Sequence, residues 1–174
     1  MLEIDVVLDE NFDETTSKFG VVQSVKVRLE HSLFTASKWE AVWEEPFLGK
    51  KDKTQEQTAS YLRMMILNED LPPEVFVKLV ENHMPEINEY IGAKMSATKL
   101  AVDKKQSREV ITAELIYYWM VTMNIPVQFE HWHLNRLVTF VRVIQLKNTK
   151  QKPMTPQERS KLNRQRLEQG NTKG

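Results

Sequence analysis

Apolar and polar residues alternate over residues 2–8, where Leu2, Ile4, Val6 and Leu8 are spaced by Glu3, Asp5 and Val7. A period of two is that of a half-buried strand. A polar stretch, residues 9–18, leads to Phe19 and Gly20. The alternation then returns through Val21, Val25, Val27 and Leu29, with Lys26 and Arg28 pointing away. The pattern predicts a β-hairpin with a long irregular loop. Two strands alone are marginal in water, so the hairpin must pack on helices or join another subunit's sheet.

From Ser37 the period lengthens to that of helices. Ser37 and Glu40 have the spacing of a capping box, as do Thr54 and Gln57, in which side chains and backbone N–H groups satisfy one another. The first box predicts a helix with Trp39, Val42 and Trp43 on one face, ended by Pro46. The second predicts a helix through Tyr61, Leu62, Met65 and Ile66. Pro72 and Pro73 open a third helix, because proline loses nothing in a first turn; Val75, Phe76, Leu79 and Val80 face inward. Pro85 starts a short fourth over residues 86–91, closed by Gly92.

Residues 107–145 form the longest stretch in which apolar residues dominate. From Leu115 to Met123 nearly every side is apolar, as in a helix buried all round. Glu109, Glu114 and Pro126 interrupt the run, which is too short to span a bilayer. The expectation is a central buried helix N-capped by Ser107, a break at residues 124–126, and a second helix packed back on it. Leu115, Tyr118, Trp119, Leu134, Leu137 and Val141 should then be core. Arg136 and Arg142, beside the apolar stripe, either pair with buried acids such as Glu109 or Glu114 or face solvent. Beyond a linker, Thr155, Pro156 and Glu158 predict a last short helix with only Leu162 and Leu167 as anchors.

The fold class that results is mainly α with some β (α+β). It comprises an N-terminal hairpin (residues 1–30) packed on the body, a bundle of about six helices (31–146), and a basic linker with a short C-terminal helix or tail (147–174). The chain's 174 residues suit one core of ordinary size. Net charge is zero, yet the tail carries eight Lys or Arg against Glu158 and Glu168, leaving residues 1–146 at about −6. With no cysteine, disulfide, thiolate-metal and thiol-nucleophile chemistry are excluded. MLEIDVVLDE bears acids where a signal peptide needs a basic region, so the expected place is a cytoplasm or an assembly built there.

Candidate chemistry is sparse. His131 and His133 invite a metal reading, but positions two apart on a helix do not face each other. His31 and His83 belong to unrelated segments, and no HExxH completes a site. Ser107, Arg108 and Glu109 are explained as a cap with an acid in the first turn. GxSxG, P-loop, GxGxxG and paired-carboxylate motifs are all missing. No enzyme, cofactor or metal is expected. Trp39, Val42 and Trp43 could anchor a partner or belong to the core. The tail's Arg159, Arg164 and Arg166 are the other candidate contacts, although a tail without aromatics argues against specific nucleic-acid recognition.

The stretches LEHSLFTASKWEAVWEEPFL (29–48), KTQEQTASYLRMMIL (53–67), INEYI (87–91) and SREVITAELIYYWMVTMNIPVQFEHWHLNRLVTFVRV (107–143) resemble a family of tailed bacteriophages and prophages. Its members are encoded in the block of genes for tail assembly and are usually labelled tail assembly chaperones. The resemblance runs from the N-terminal strands to the basic Asn163, Arg164, Gln165, Arg166 segment. It implies a non-catalytic protein of the host cytoplasm that binds the tape-measure protein and keeps its apolar helices soluble while the tail tube polymerises. The interrupted apolar run leaves no membrane partner expected, and the unpaired hairpin edge makes a homo-oligomer possible. Chaperones of the best-known long-tailed phages are largely helical, whereas this chain opens with strands. A structural virion protein at the head–tail junction or in the tail is therefore the alternative.

Overall fold

The computed structural model describes residues 1–13, 18–49, 51–99, 110–148, 160 and 164, with side chains of the hairpin described outside residues 10–22. It is an α+β fold. Strands β1 (Leu2–Asp13) and β2 (Lys18–Leu29) pair antiparallel. The helices are α1 (Leu33–Trp43), α2 (Gln55–Met65), α3 (Pro73–Gly92), α4 (Ala113–Thr122) and α5 (Leu134–Asn148), with a 3₁₀ turn at Val127–His131. Among the described residues that makes five α-helices where about six were expected. The chain divides into two compact units, Met1–Ile144 and Gln145–Gly174. In the second unit, Ser160 and Arg164 are described as helical and exposed.

The hairpin follows the alternation. Ile4, Val6, Val27 and Leu29 are buried, while Glu3 pairs with Arg28 and Asp5 with Lys26 on the outer face. Lys26 lies 3.7 Å from Glu3 and 3.4 Å from Asp5. The ladder runs farther than the polar stretch implied, to the Asp13–Lys18 pair, because backbone pairing carries through polar side chains. The register shifts around Leu8 and again between Asp9 and Glu10. Lys78 of α3 donates to the Val7 and Leu8 carbonyls there, supplying partners where the ladder is broken. The edge of β2 is covered in turn. Leu67 N–H donates to the Arg28 carbonyl. The Asn68 amide accepts from Arg28 N–H and donates to the Lys26 carbonyl. A short segment and one side chain thus do the work of a third strand.

Three helix starts differ from the sequence reading. The first is α1, which begins at Leu33 because Ser32, accepting from Thr35 N–H, is its cap. Ser37 lies inside the helix and donates to the Phe34 carbonyl, a use of serine that a capping-box pattern cannot distinguish from a cap. Pro85 does not start a helix either: α3 runs through it. Proline removes one backbone hydrogen bond, and Pro85 and Glu81, the residue whose carbonyl loses its donor, both lie on the exposed face of the helix. Buried Leu79, Ile87 and Tyr90 hold the helix on both sides of the interruption. The third is α4, which starts at Ala113 with Thr112 as cap, and residues 110–112 are not helical. Ser107, the expected cap, lies outside the described residues. So does the expected helix after Thr155, apart from Ser160 and Arg164.

Other boundaries follow the sequence. The Thr54–Gln57 capping box is complete, Pro73 opens α3, and α4 ends before Asn124 in a left-handed conformation (φ 53°). Leu134, Leu137 and Val141 of α5 are buried.

The expectation for α4 fails. Only Ala113, Ile116 and Met120 are buried; Leu115 and Trp119 are half-buried and Tyr118 is 63% exposed. An apolar composition all round did not bring neighbours all round. The helix packs on one side against α1 and leaves the other uncovered.

Candidate protein-binding surface

The exposed face of α4 is positioned by one carboxylate. Glu40 of α1 accepts from Phe47 N–H through Oε1 and from Ala113 N–H through Oε2, both at 2.7 Å. Its charge therefore faces the first turn of α4, where unpaired N–H groups and the helix dipole favour an anion. One turn earlier, Ser37 sits against the Tyr117 hydroxyl. The pairs 40–113 and 37–117 make α1 and α4 antiparallel.

Helical geometry then defines what lies beside this seam. At about 100° per residue, Ser37, Ala41 and Phe34 follow one another round α1 away from Glu40. Tyr117, Val121, Glu114 and Tyr118 follow one another round α4 away from Ala113. Because Ser37 meets Tyr117, both series open on the same side. They form a shallow groove with apolar walls: Phe34 is 36% exposed, Tyr118 63% and Val121 76%. Tyr117 forms its floor, donating to Glu130 at 2.6 Å. Burial, and secondarily the Glu130 carboxylate, push its phenol up to about 12. The upper end meets the 3₁₀ turn, where His131 packs on Phe34 (ring centroids 5.2 Å) and Val127 is exposed.

The residues singled out from the sequence are dispersed. Trp39 is buried, its indole N–H donating to the Gln57 carbonyl at 3.0 Å. Trp43 is half-buried and donates to Ser60. Both belong to the α1–α2 contact. Val42 is exposed but stands about 200° from Glu40, off the groove and apart from the two tryptophans. The one-face reading of Trp39, Val42 and Trp43 thus splits into core and surface. Arg164 is exposed in the second unit, and Arg159 and Arg166 lie outside the described residues. Arg136 and Arg142 are exposed, and Arg136 covers the Trp132 ring at 4.2 Å. The groove was missed because Tyr118 read as core and Val121 as part of a helix apolar on nearly every side.

A second constellation also escaped the sequence. His31, at the end of the hairpin, and His133, at the start of α5, are buried with their rings edge-on at 4.8 Å. His31 Nδ1 shares a 2.6 Å hydrogen bond with the Tyr61 hydroxyl, and its backbone N–H donates to Tyr90 Oη. His133 Nε2 donates to the Tyr90 carbonyl at 2.9 Å, which leaves buried Nδ1 with a bare lone pair. Burial, then the neighbouring His133, lower the His31 pKa to about 3. Burial also lowers that of His133. The cluster joins the hairpin, α2, α3 and α5. His131 is not part of it, pairing with Glu30 at 3.0 Å. Among the described residues no group of three or more His, Cys, Asp or Glu stands together as a ligand set. No helix among them is long and apolar enough to cross a membrane. Comparison with family models, curated proteins and solved structures yields no match.

Proposed function

We propose that this protein is a tail assembly chaperone of a tailed bacteriophage. In this reading it acts in the host cytoplasm without catalysis and holds apolar helical segments of the tape-measure protein in solution during tail-tube assembly. The observation that supports this reading is the uncovered apolar groove of α1 and α4, with Phe34, Tyr118 and Val121 open to solvent. Apolar helices are recognised by such grooves, anchored by residues at helical spacing. The family resemblance supplies the identity of the client. The basic C-terminal segment with Arg159, Arg164 and Arg166 is a further proposed contact.

Co-expression tests it. The protein should raise the soluble yield of the tape-measure protein, and Tyr118→Asp with Val121→Asp should abolish the gain while leaving the fold's melting temperature nearly unchanged. Full rescue by the double variant would overturn the assignment of the groove. A fixed copy number in washed virions, with no effect on tape-measure solubility, would replace the chaperone with a structural role at the head–tail junction or in the tail.

A further inference from the structure

Among the described residues, the charges around the groove are unequal. Glu44 is exposed at the C-cap of α1, and Glu114 is exposed in the first turn of α4. Both stand at the end of the groove where Glu40 holds Ala113. At the other end the Glu130 carboxylate is bonded to the Tyr117 hydroxyl. Against these stands Lys38, whose ammonium lies 4.1 Å from the centre of the Phe34 ring. The surroundings share the imbalance, since residues 1–146 hold 22 Asp or Glu against 16 Lys or Arg. An apolar strip rimmed by carboxylates disfavours an acidic occupant by like-charge repulsion and attracts a basic one.

Resting on the function proposed above, we infer that the groove selects a cationic amphipathic helix: one apolar face on Phe34, Tyr118 and Val121, with Lys or Arg flanks meeting Glu44 and Glu114. The two acids stand together at one end, and Lys38 stands toward the other. The occupant's cations therefore concentrate at the Glu114 end, which sets its direction in the groove. The acids steer encounter, so binding weakens with salt.

Three synthetic 18-residue amphipathic helices with the same apolar face and Lys, Gln or Glu flanks, plus a Lys-rich peptide of scrambled periodicity, serve as probes against the full chain. The Lys-flanked helix should bind at least tenfold tighter than the Glu-flanked one at low salt. The scrambled peptide should bind no better than the Glu-flanked helix. Glu44→Lys with Glu114→Lys, both exposed and therefore compatible with folding, should reverse the order. Equal binding of all flanks, a Lys preference untouched by the double reversal, or equal binding of the scrambled peptide overturns the inference. The chaperone reading stands or falls separately, on tape-measure solubility with Tyr118→Asp and Val121→Asp.

Discussion

Acidification should unfold this protein through its buried histidines. In the folded chain His31 is 2% exposed and held neutral, with burial and the ring of His133 lowering its pKa from 6.5 to about 3. An unfolded chain has no such burial and takes up a proton near 6.5. Because the folded pKa is the lower one, the stabilising neutral form is fully favoured above pH 6.5. The advantage is lost as pH falls from there toward about 3, below which both states are protonated. At pH 4.5 the unfolded histidine is almost fully charged and the folded one almost fully neutral. Two pH units at about 1.36 kcal/mol each give a loss on the order of 3 kcal/mol. That is a large part of the 5–15 kcal/mol typical of a domain. Urea melts from pH 7.5 to 4 on the wild type and on His31→Gln measure it. The wild type should lose stability more steeply than the variant between pH 6.5 and 4, by about 1 kcal/mol per pH unit. Parallel slopes would refute the burial of a neutral imidazole at this position.

Trp39→Ala removes a buried ring and leaves the Gln57 carbonyl without its indole donor. It should cost about 3–5 kcal/mol in chemical denaturation, whereas exposed Tyr118→Ala should stay within about 0.5 kcal/mol; similar costs would contradict the placement of α4 at the surface. Glu40→Ala frees Phe47 N–H and Ala113 N–H together. It should cost about 2–3 kcal/mol and raise amide exchange at the start of α4, while unchanged exchange there would dismiss the clamp. Asn68→Ala uncovers the β2 edge and should cost about 1 kcal/mol, with faster exchange at Arg28 but not at Leu67, whose N–H bonds backbone. Equal exchange at Arg28 in both proteins would remove Asn68 from that role.

Local pattern by itself determined the hairpin, the complete Thr54–Gln57 box, the proline start of α3, the break after α4 and the buried stripe of α5. Each of these rests on a period, a cap or a fixed φ that neighbours in sequence decide. The absence of cysteine and the acidic body were equally legible. Tertiary structure decided the rest. Ser32 and Ser37 both stand ahead of helix-forming sequence, and only the packing of Leu33 and Ala36 into the core makes the earlier one the cap. Continuity through Pro85 depended on which face of α3 met solvent. Hydrophobic composition could not say how many sides of α4 would find neighbours. Tyr118 and Val121 stayed outside because α1, fastened by Glu40, covers only the side of α4 that carries Ala113. The meeting of His31 and His133, about a hundred residues apart in the chain, has no signature in either segment. It arises because the end of the hairpin and the start of α5 are brought side by side, Leu134 N–H donating to the His31 carbonyl at 2.9 Å.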